Sequence, residues 1–262
     1  MKEHYYWWDL EASKFKGILY DSIGTYFLFE HSYTNWDEFV EADPHMAYAY
    51  LTYIRFNALE QQFVDLRVIP QMLGVKQVPI QSVVQDINRY EWLKSIIDLT
   101  LFRFSSLRDI SFHFVNEVLE LQISDHSLNV KQISKALRRS NSQLIKNLKV
   151  LEKAGLPLRH ERNQRAHKGF CDLHTDDDEI FKSMAWAELH NFKSDKYDLV
   201  STYESSKEKI HGIVVQEVSE ALKASVDLVD ESYVYYRDRY TSLASSAKTG
   251  VGQHFYLHCE NE

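Results

Sequence analysis

Between Tyr90 and Leu121 apolar side chains return every third or fourth residue without a break: Leu93, Ile96, Ile97, Leu101, Phe104, Leu107, Ile110, Phe114, Val118 and Leu121. That spacing places them on one face of a long α-helix, and a stripe of this length reads as core. The rest of the chain offers little to interrupt helices. Its 262 residues include eight Gly and four Pro, too few turn-makers for an all-β sandwich, which turns roughly every ten residues. With 44% hydrophobic and 13% aromatic residues a buried core is available, and disorder is excluded as the main state. The fold class that follows is all-α.

Further elements can be placed by their punctuation. Asp43-Pro44 has the form of a helix start, and Met46, Tyr50, Tyr53, Ile54, Asn57, Ala58, Gln61 and Val64 continue at helical spacing until Pro70 and Gly74 close the element. Ile80, Val83, Val84 and Ile87 suit a short helix between Pro79 and Tyr90. Asp125, His126 and Ser127 mark a turn. Val130, Ile133, Leu137, Leu144, Ile145, Leu148 and Leu151 then form an apolar face that Gly155 and Pro157 end. The poor helix formers from Arg138 to Ser142 are either a surface-facing stretch of one helix or a turn between two. Thr175 and the acids after it start a helix through about Phe192, and a last long pattern runs from about Leu199 to Ala244. No Gly-, Ser- or Pro-rich linker divides the chain. The expected organisation is an N-terminal helical extension over residues 1–89, a helical bundle over 90–245 and a tail over 246–262.

Two cysteines, Cys171 and Cys259, without paired spacing argue against a disulfide framework or a cysteine zinc site, and no metal or cofactor is expected. No signal peptide and no membrane span is read from the sequence, so a cytoplasmic location is expected. Charge is more informative. The total is −8, yet residues 128–168 hold eleven Lys or Arg against Glu152 and Glu161, a net +9 that leaves −17 for everything else. Such segregation suits a local polyanion site on an acidic body, or a solvated basic face paired with acidic neighbours.

At the end of that basic segment stands Arg162-Asn163-Gln164-Arg165-Ala166-His167. An arginine offers a permanent charge and a forked donor to phosphate oxygens. A histidine titrates near neutrality and can move the proton of a ribose 2′-hydroxyl or of a leaving 5′-oxygen. On a helix Asn163 and His167 share a face, while Arg162 lies about 140° from His167 and must reach round. With 12 Arg and 12 His in the chain, the bare Arg–His spacing arises about 0.5 times by chance, and about 0.02 times once Asn must follow the Arg. Arg108-Asp109-Ile110-Ser111-Phe112-His113 repeats the skeleton with Asp second. Its place inside the apolar stripe predicts that Arg108 pairs locally and His113 packs in the core.

Arg162-Asn163-x-x-x-His167, with Ala166 before the histidine and Gly169 shortly after, resembles the signature of HEPN domains, and the succession of long helices over roughly residues 90 to 245 is similar too. The resemblance implies an all-α HEPN-like bundle acting on RNA without metal, in a toxin or phage-defence role. It implies a homodimer whose two motifs meet across a twofold axis, and a neutralising antitoxin or regulatory partner. In that pattern Arg162 contacts the scissile phosphate, His167 transfers the proton and Asn163 orients the motif. The basic residues Arg138, Arg139, Lys146, Arg159, Arg165 and Lys168 are the candidates for holding the nucleic acid. One departure stands out. HEPN toxins paired with nucleotidyltransferases carry a Tyr two residues after the His, where this chain has Gly169, so regulation through that Tyr is not expected. Some HEPN domains bind without cleaving.

The rival is a winged helix-turn-helix over residues 130–168, with Arg138 to Asn141 as the turn, 142–156 as the recognition helix and Arg159 to Lys168 as a basic wing on DNA phosphates. No alternating strand pattern follows Pro157, which weighs against a wing. The other candidates are bland. His254, His258 and Cys259 lack a partner cluster for a metal, Gly250-Val251-Gly252 lacks the Lys-Ser/Thr ending of a phosphate loop, and Tyr48, Tyr50, Tyr53 and Cys171 read as packed side chains.

Overall fold

The computed structural model describes residues 10–28, 33–75, 89–137, 142–156, 198–248 and, between the last two stretches, Ser183, Trp186, Ala187, His190 and Phe192. Among the described residues all regular structure is helical: α1 (Lys14–Leu28), α2 (Trp36–Ala42), α3 (Pro44–Leu73), α4 (Arg89–Val118), α5 (Val130–Ala136), α6 (Ser142–Lys153) and α7 (Leu199–Ala244), with short 3-10 turns at Leu10–Ala12 and Asp125–Ser127. The fold is all-α. The short helix expected near 79–90 lies outside the described residues up to the start of α4. The same holds for most of the helix expected before Phe192 and for the tail from 249.

The stripe of α4 is buried as its spacing requires. Leu93, Ile97, Leu101, Phe104, Leu107, Phe114 and Val118 are all sealed from solvent, while Ile110 is only half-buried. Thr100 and Ser111 fall on the sealed face and satisfy their hydroxyls locally, each donating to the carbonyl four residues back, Ile96 and Leu107, at 2.7 Å. The last helix likewise covers the segment its pattern marked, with Ile210, Val214, Val218, Leu222 and Val229 buried.

In α3 the element is where the sequence puts it, but the face is not. Phe56, Leu59, Phe63, Leu66 and Ile69 turn inward, whereas Ile54 and Val64 are 44% and 49% exposed. The helix is apolar on several sides, so spacing alone admits more than one stripe, and the stripe carrying two phenylalanines has the most area to bury. Pro70 does not end α3 either. It sits inside the last turn, and the helix runs on to Leu73, where the Gly74 N–H closes it on the Pro70 and Gln71 carbonyls. A proline near a C-terminus forfeits one backbone bond but need not stop the helix at once.

By contacts the chain forms two compact units. The first takes residues 1–61, 107–152 and 222–262, and the second takes 62–106 and 153–221. Aromatic rings fill the first: Phe15 meets Phe56, Phe114 and Tyr236 with centroids 5.2–5.6 Å apart, and Tyr48 stacks on Tyr236 at 5.3 Å. Burial raises the Tyr48 hydroxyl far above its ordinary range and pushes that of Tyr240 up to about 12, so both stay protonated. The Tyr48 hydroxyl donates to the Val118 carbonyl at 2.7 Å, at the end of α4. The second unit is tied by Arg103 to Asp65 at 2.7 Å and by His211 Nε2, 3.1 Å from the Pro70 carbonyl.

Candidate functional site

The basic segment begins on two short helices of different make. Asn129 caps α5, its side chain accepting from the Gln132 N–H at 3.0 Å, and Val130 and Ile133 are buried beneath. On α6, Leu144, Leu148 and Leu151 form a fully buried face, and Ile145 lies half-buried beside them. The opposite side of α6 faces solvent and carries Lys146 and Lys149. α5 and α6 are separate elements. Of the residues expected to hold nucleic acid, Lys146 is exposed on α6, and Arg138, Arg139, Arg159, Arg165 and Lys168 lie outside the described residues. So do the three residues of the motif, Arg162, Asn163 and His167.

What the structure does describe is how α6 ends. Its last residue is Lys153, and Gly155 just beyond it has a φ of +63°, the left-handed conformation that stops a helix and that glycine adopts without strain. Two further constraints act at the same position, both inside the second unit. A Cβ on Gly155 would stand 2.7 Å from Phe104 Cδ2 and 2.9 Å from Cγ, so the backbone passes too close to this side chain for any residue but glycine. Its N–H donates to Glu217 Oε2 on α7 at 2.8 Å. Three helices therefore fix the exit of α6, seven residues before Arg162. Sequence reading finds Gly155 as a helix stop. It does not find Glu217, which is 62 residues away and has no local signal for the contact.

The second Arg–His skeleton is described in full, and it is taken up by local pairs. Arg108 donates from Nε to Asp109 Oδ1 at 2.6 Å, as its setting predicts. His113, expected in the core, is instead partly exposed, with Nδ1 3.6 Å from Asp125. Asp125 stands in the 3-10 turn that follows α4. Nearby, Glu117 is held above the ordinary carboxyl range because burial outweighs the pull of Arg55, whose Nε is 3.8 Å away.

The turn beyond α4 has a device of its own. Glu120 and Gln122 both adopt positive φ, +46° and +55°. Asn116 holds the loop there. Its Nδ2 donates to the Ile123 carbonyl, and its Oδ1 accepts from the Ile123 N–H, each at 3.1 Å. Arg239 pairs with Glu120 on the outside. No helix among the described residues is long and apolar enough to cross a membrane.

Long helices, together with a basic stretch of sequence that ends in Arg-Asn-x-x-x-His, point to the HEPN class. The match is specific: the family model of the Cthe2314-like HEPN domains covers residues 57–231, two thirds of the chain, including α4 to α6 and the whole 162–167 motif. The chain belongs to this family. No curated protein and no solved structure matches it. The match also takes in residues 130–168, the segment of the rival winged reading.

Proposed function

We propose that the chain is a metal-independent endoribonuclease of the HEPN kind, working as a toxin or phage-defence effector. The observation that carries the reading is the family match over residues 57–231, a span that includes Arg162, Asn163 and His167. The +9 charge of residues 128–168 supports a polyanionic substrate.

In this reading the ribose 2′-oxygen attacks the adjacent phosphorus and the bond to the 5′-oxygen breaks, leaving a 2′,3′-cyclic phosphate and a free 5′-hydroxyl. His167 takes the 2′-hydroxyl proton and returns one to the leaving oxygen. Arg162 stabilises the charge that develops on the phosphate oxygens, and Asn163 orients the motif. Arg138, Arg139, Lys146, Arg159, Arg165 and Lys168 hold the strand. Two copies of the chain bring their motifs together in one cleft, and a partner protein restrains the activity.

Total RNA and a 2′-deoxy analogue, incubated with wild type, Arg162→Ala and His167→Ala, test the proposal. Cleavage of RNA by wild type alone, undiminished in excess EDTA and absent on the deoxy analogue, is the expected result. Full activity in either variant refutes the assignment. RNA bound but never cut by wild type makes the chain a non-catalytic HEPN module instead.

A further inference from the structure

The solvent faces of α5 and α6 carry Lys131 and Lys135, one turn apart, and Lys146 and Lys149, three residues apart; all four are exposed. The only acid on either helix is Glu152. Several other cations of the same unit are matched, although among the described residues exposed Lys14 is not: Lys16 with Glu60 at 2.6 Å, Arg55 with Glu117, Arg108 with Asp109, Arg237 with Asp238, and Lys248 with Glu41 at 2.6 Å. Among the described residues none of the four lysines meets a carboxylate. Their helices do not need them for packing, since Val130, Ile133, Leu144 and Leu148 bury the other side.

Like charges one turn apart on a helix repel one another, so this arrangement costs the folded chain and gives it nothing internally. It fits an external polyanion. On α6 the two lysine positions are about 4.5 Å apart along the axis, and on α5 about 6 Å, so their side chains can reach neighbouring phosphates of one strand. Lysine is a compact point charge without a base-reading fork, so the contact is to backbone and independent of sequence.

We propose that Lys131, Lys135, Lys146 and Lys149 form a phosphate-binding face that captures the RNA strand, a role distinct from the cutting assigned to the 162–167 motif. The inference rests on the RNA-directed reading above but not on cleavage, and the experiment keeps the two apart. RNA binding is measured in the His167→Ala background, with and without Lys131→Ala, Lys135→Ala, Lys146→Ala and Lys149→Ala together. Alanine favours helix at exposed positions, and unchanged circular dichroism confirms that the variant folds. A single-stranded RNA oligonucleotide is titrated from about 50 to 200 mM salt. Every phosphate that a lysine no longer neutralises should flatten the slope of log K against log salt by about 0.7, on the order of 3 for all four. The same affinity and slope in both proteins would overturn the proposal, whether or not wild type cleaves. So would tighter binding of duplex DNA than of RNA, which belongs to the helix-turn-helix reading, or loss of binding only to an acidic protein partner.

Discussion

Replacing Gly155 by alanine would press a methyl group into the Phe104 ring while asking an L-residue to hold a φ of +63°. The two costs have separate origins. The left-handed conformation costs a non-glycine residue about 1–2 kcal/mol. The clash is with Cδ2 at 2.7 Å, Cγ at 2.9 Å and Cβ at 3.1 Å, the root of a buried side chain, so relief requires backbone movement. Overpacking of that kind costs about 1–3 kcal/mol more. The sum is about 2–5 kcal/mol, or a fall in Tm of about 2 °C per kcal/mol in a chain of this size. Urea and thermal denaturation measure it, and a double-mutant cycle with Phe104→Ala separates the parts. Phe104→Ala alone costs about 3–5 kcal/mol by leaving a cavity, but it removes the two atoms the new methyl meets most closely, Cδ2 and Cγ, and leaves only Cβ at 3.1 Å. In that background Gly155→Ala should cost little more than the conformational part, about 1–2 kcal/mol. An equal penalty with and without the ring would show that the close approach is not what keeps glycine there. A penalty near zero in wild type would remove the left-handed cap from the argument as well.

Asn116→Ala should lower stability by about 1–3 kcal/mol, because it removes both hydrogen bonds to Ile123 and releases a loop held at two positive-φ residues; chemical denaturation measures the loss. Glu117→Gln tests the burial of its carboxyl. Below the ordinary carboxyl range, folded and unfolded Glu117 both keep their proton; as pH rises the unfolded chain ionises first, so wild type loses stability through the raised folded pKa. The Tm of the variant relative to wild type should therefore climb between about pH 4 and 7, and a decline over that interval would refute the assignment.

Long helices were legible because their signal is the same physical quantity that folds them. The stripe from Leu93 to Val118 is buried because each member shares a face, and the period of that face is written in the sequence. The signal weakens where apolar residues surround a helix. In α3 the order Ile54, Phe56, Leu59, Phe63, Val64 supports two stripes, and only packing decides that the phenylalanines win. It vanishes for single contacts between distant residues. Glu217 under the Gly155 N–H and Asp125 beside His113 depend on where whole elements come to lie, which no local pattern encodes. The candidate site is the opposite case. Arg162 and His167 were picked out by the chemistry of their types and their spacing, with no help from periodicity; they lie outside the described residues and within the 57–231 span of the family match.

That spacing also bears on how many chains a catalytic centre needs. Five residues apart, Arg162 and His167 point about 140° from one another on a helix, so one copy of the motif aims the two groups poorly at a single phosphate. In the proposed dimer a second copy across a twofold axis would supply what the first turns away, since in such an interface residue i of one chain meets residue j of the other and the reverse. The proposed dimer makes this a complementation experiment. Arg162→Ala and His167→Ala, each inactive alone, are unfolded together and refolded as a mixture. Random pairing makes about half the dimers mixed, and each mixed dimer joins one intact Arg162 to one intact His167 from the other chain. If the groups act in trans, one of its two pairings survives and about a quarter of wild-type activity should return. Co-refolded protein that is dimeric by sedimentation yet remains inactive would mean that arginine and histidine serve the same phosphate from one chain.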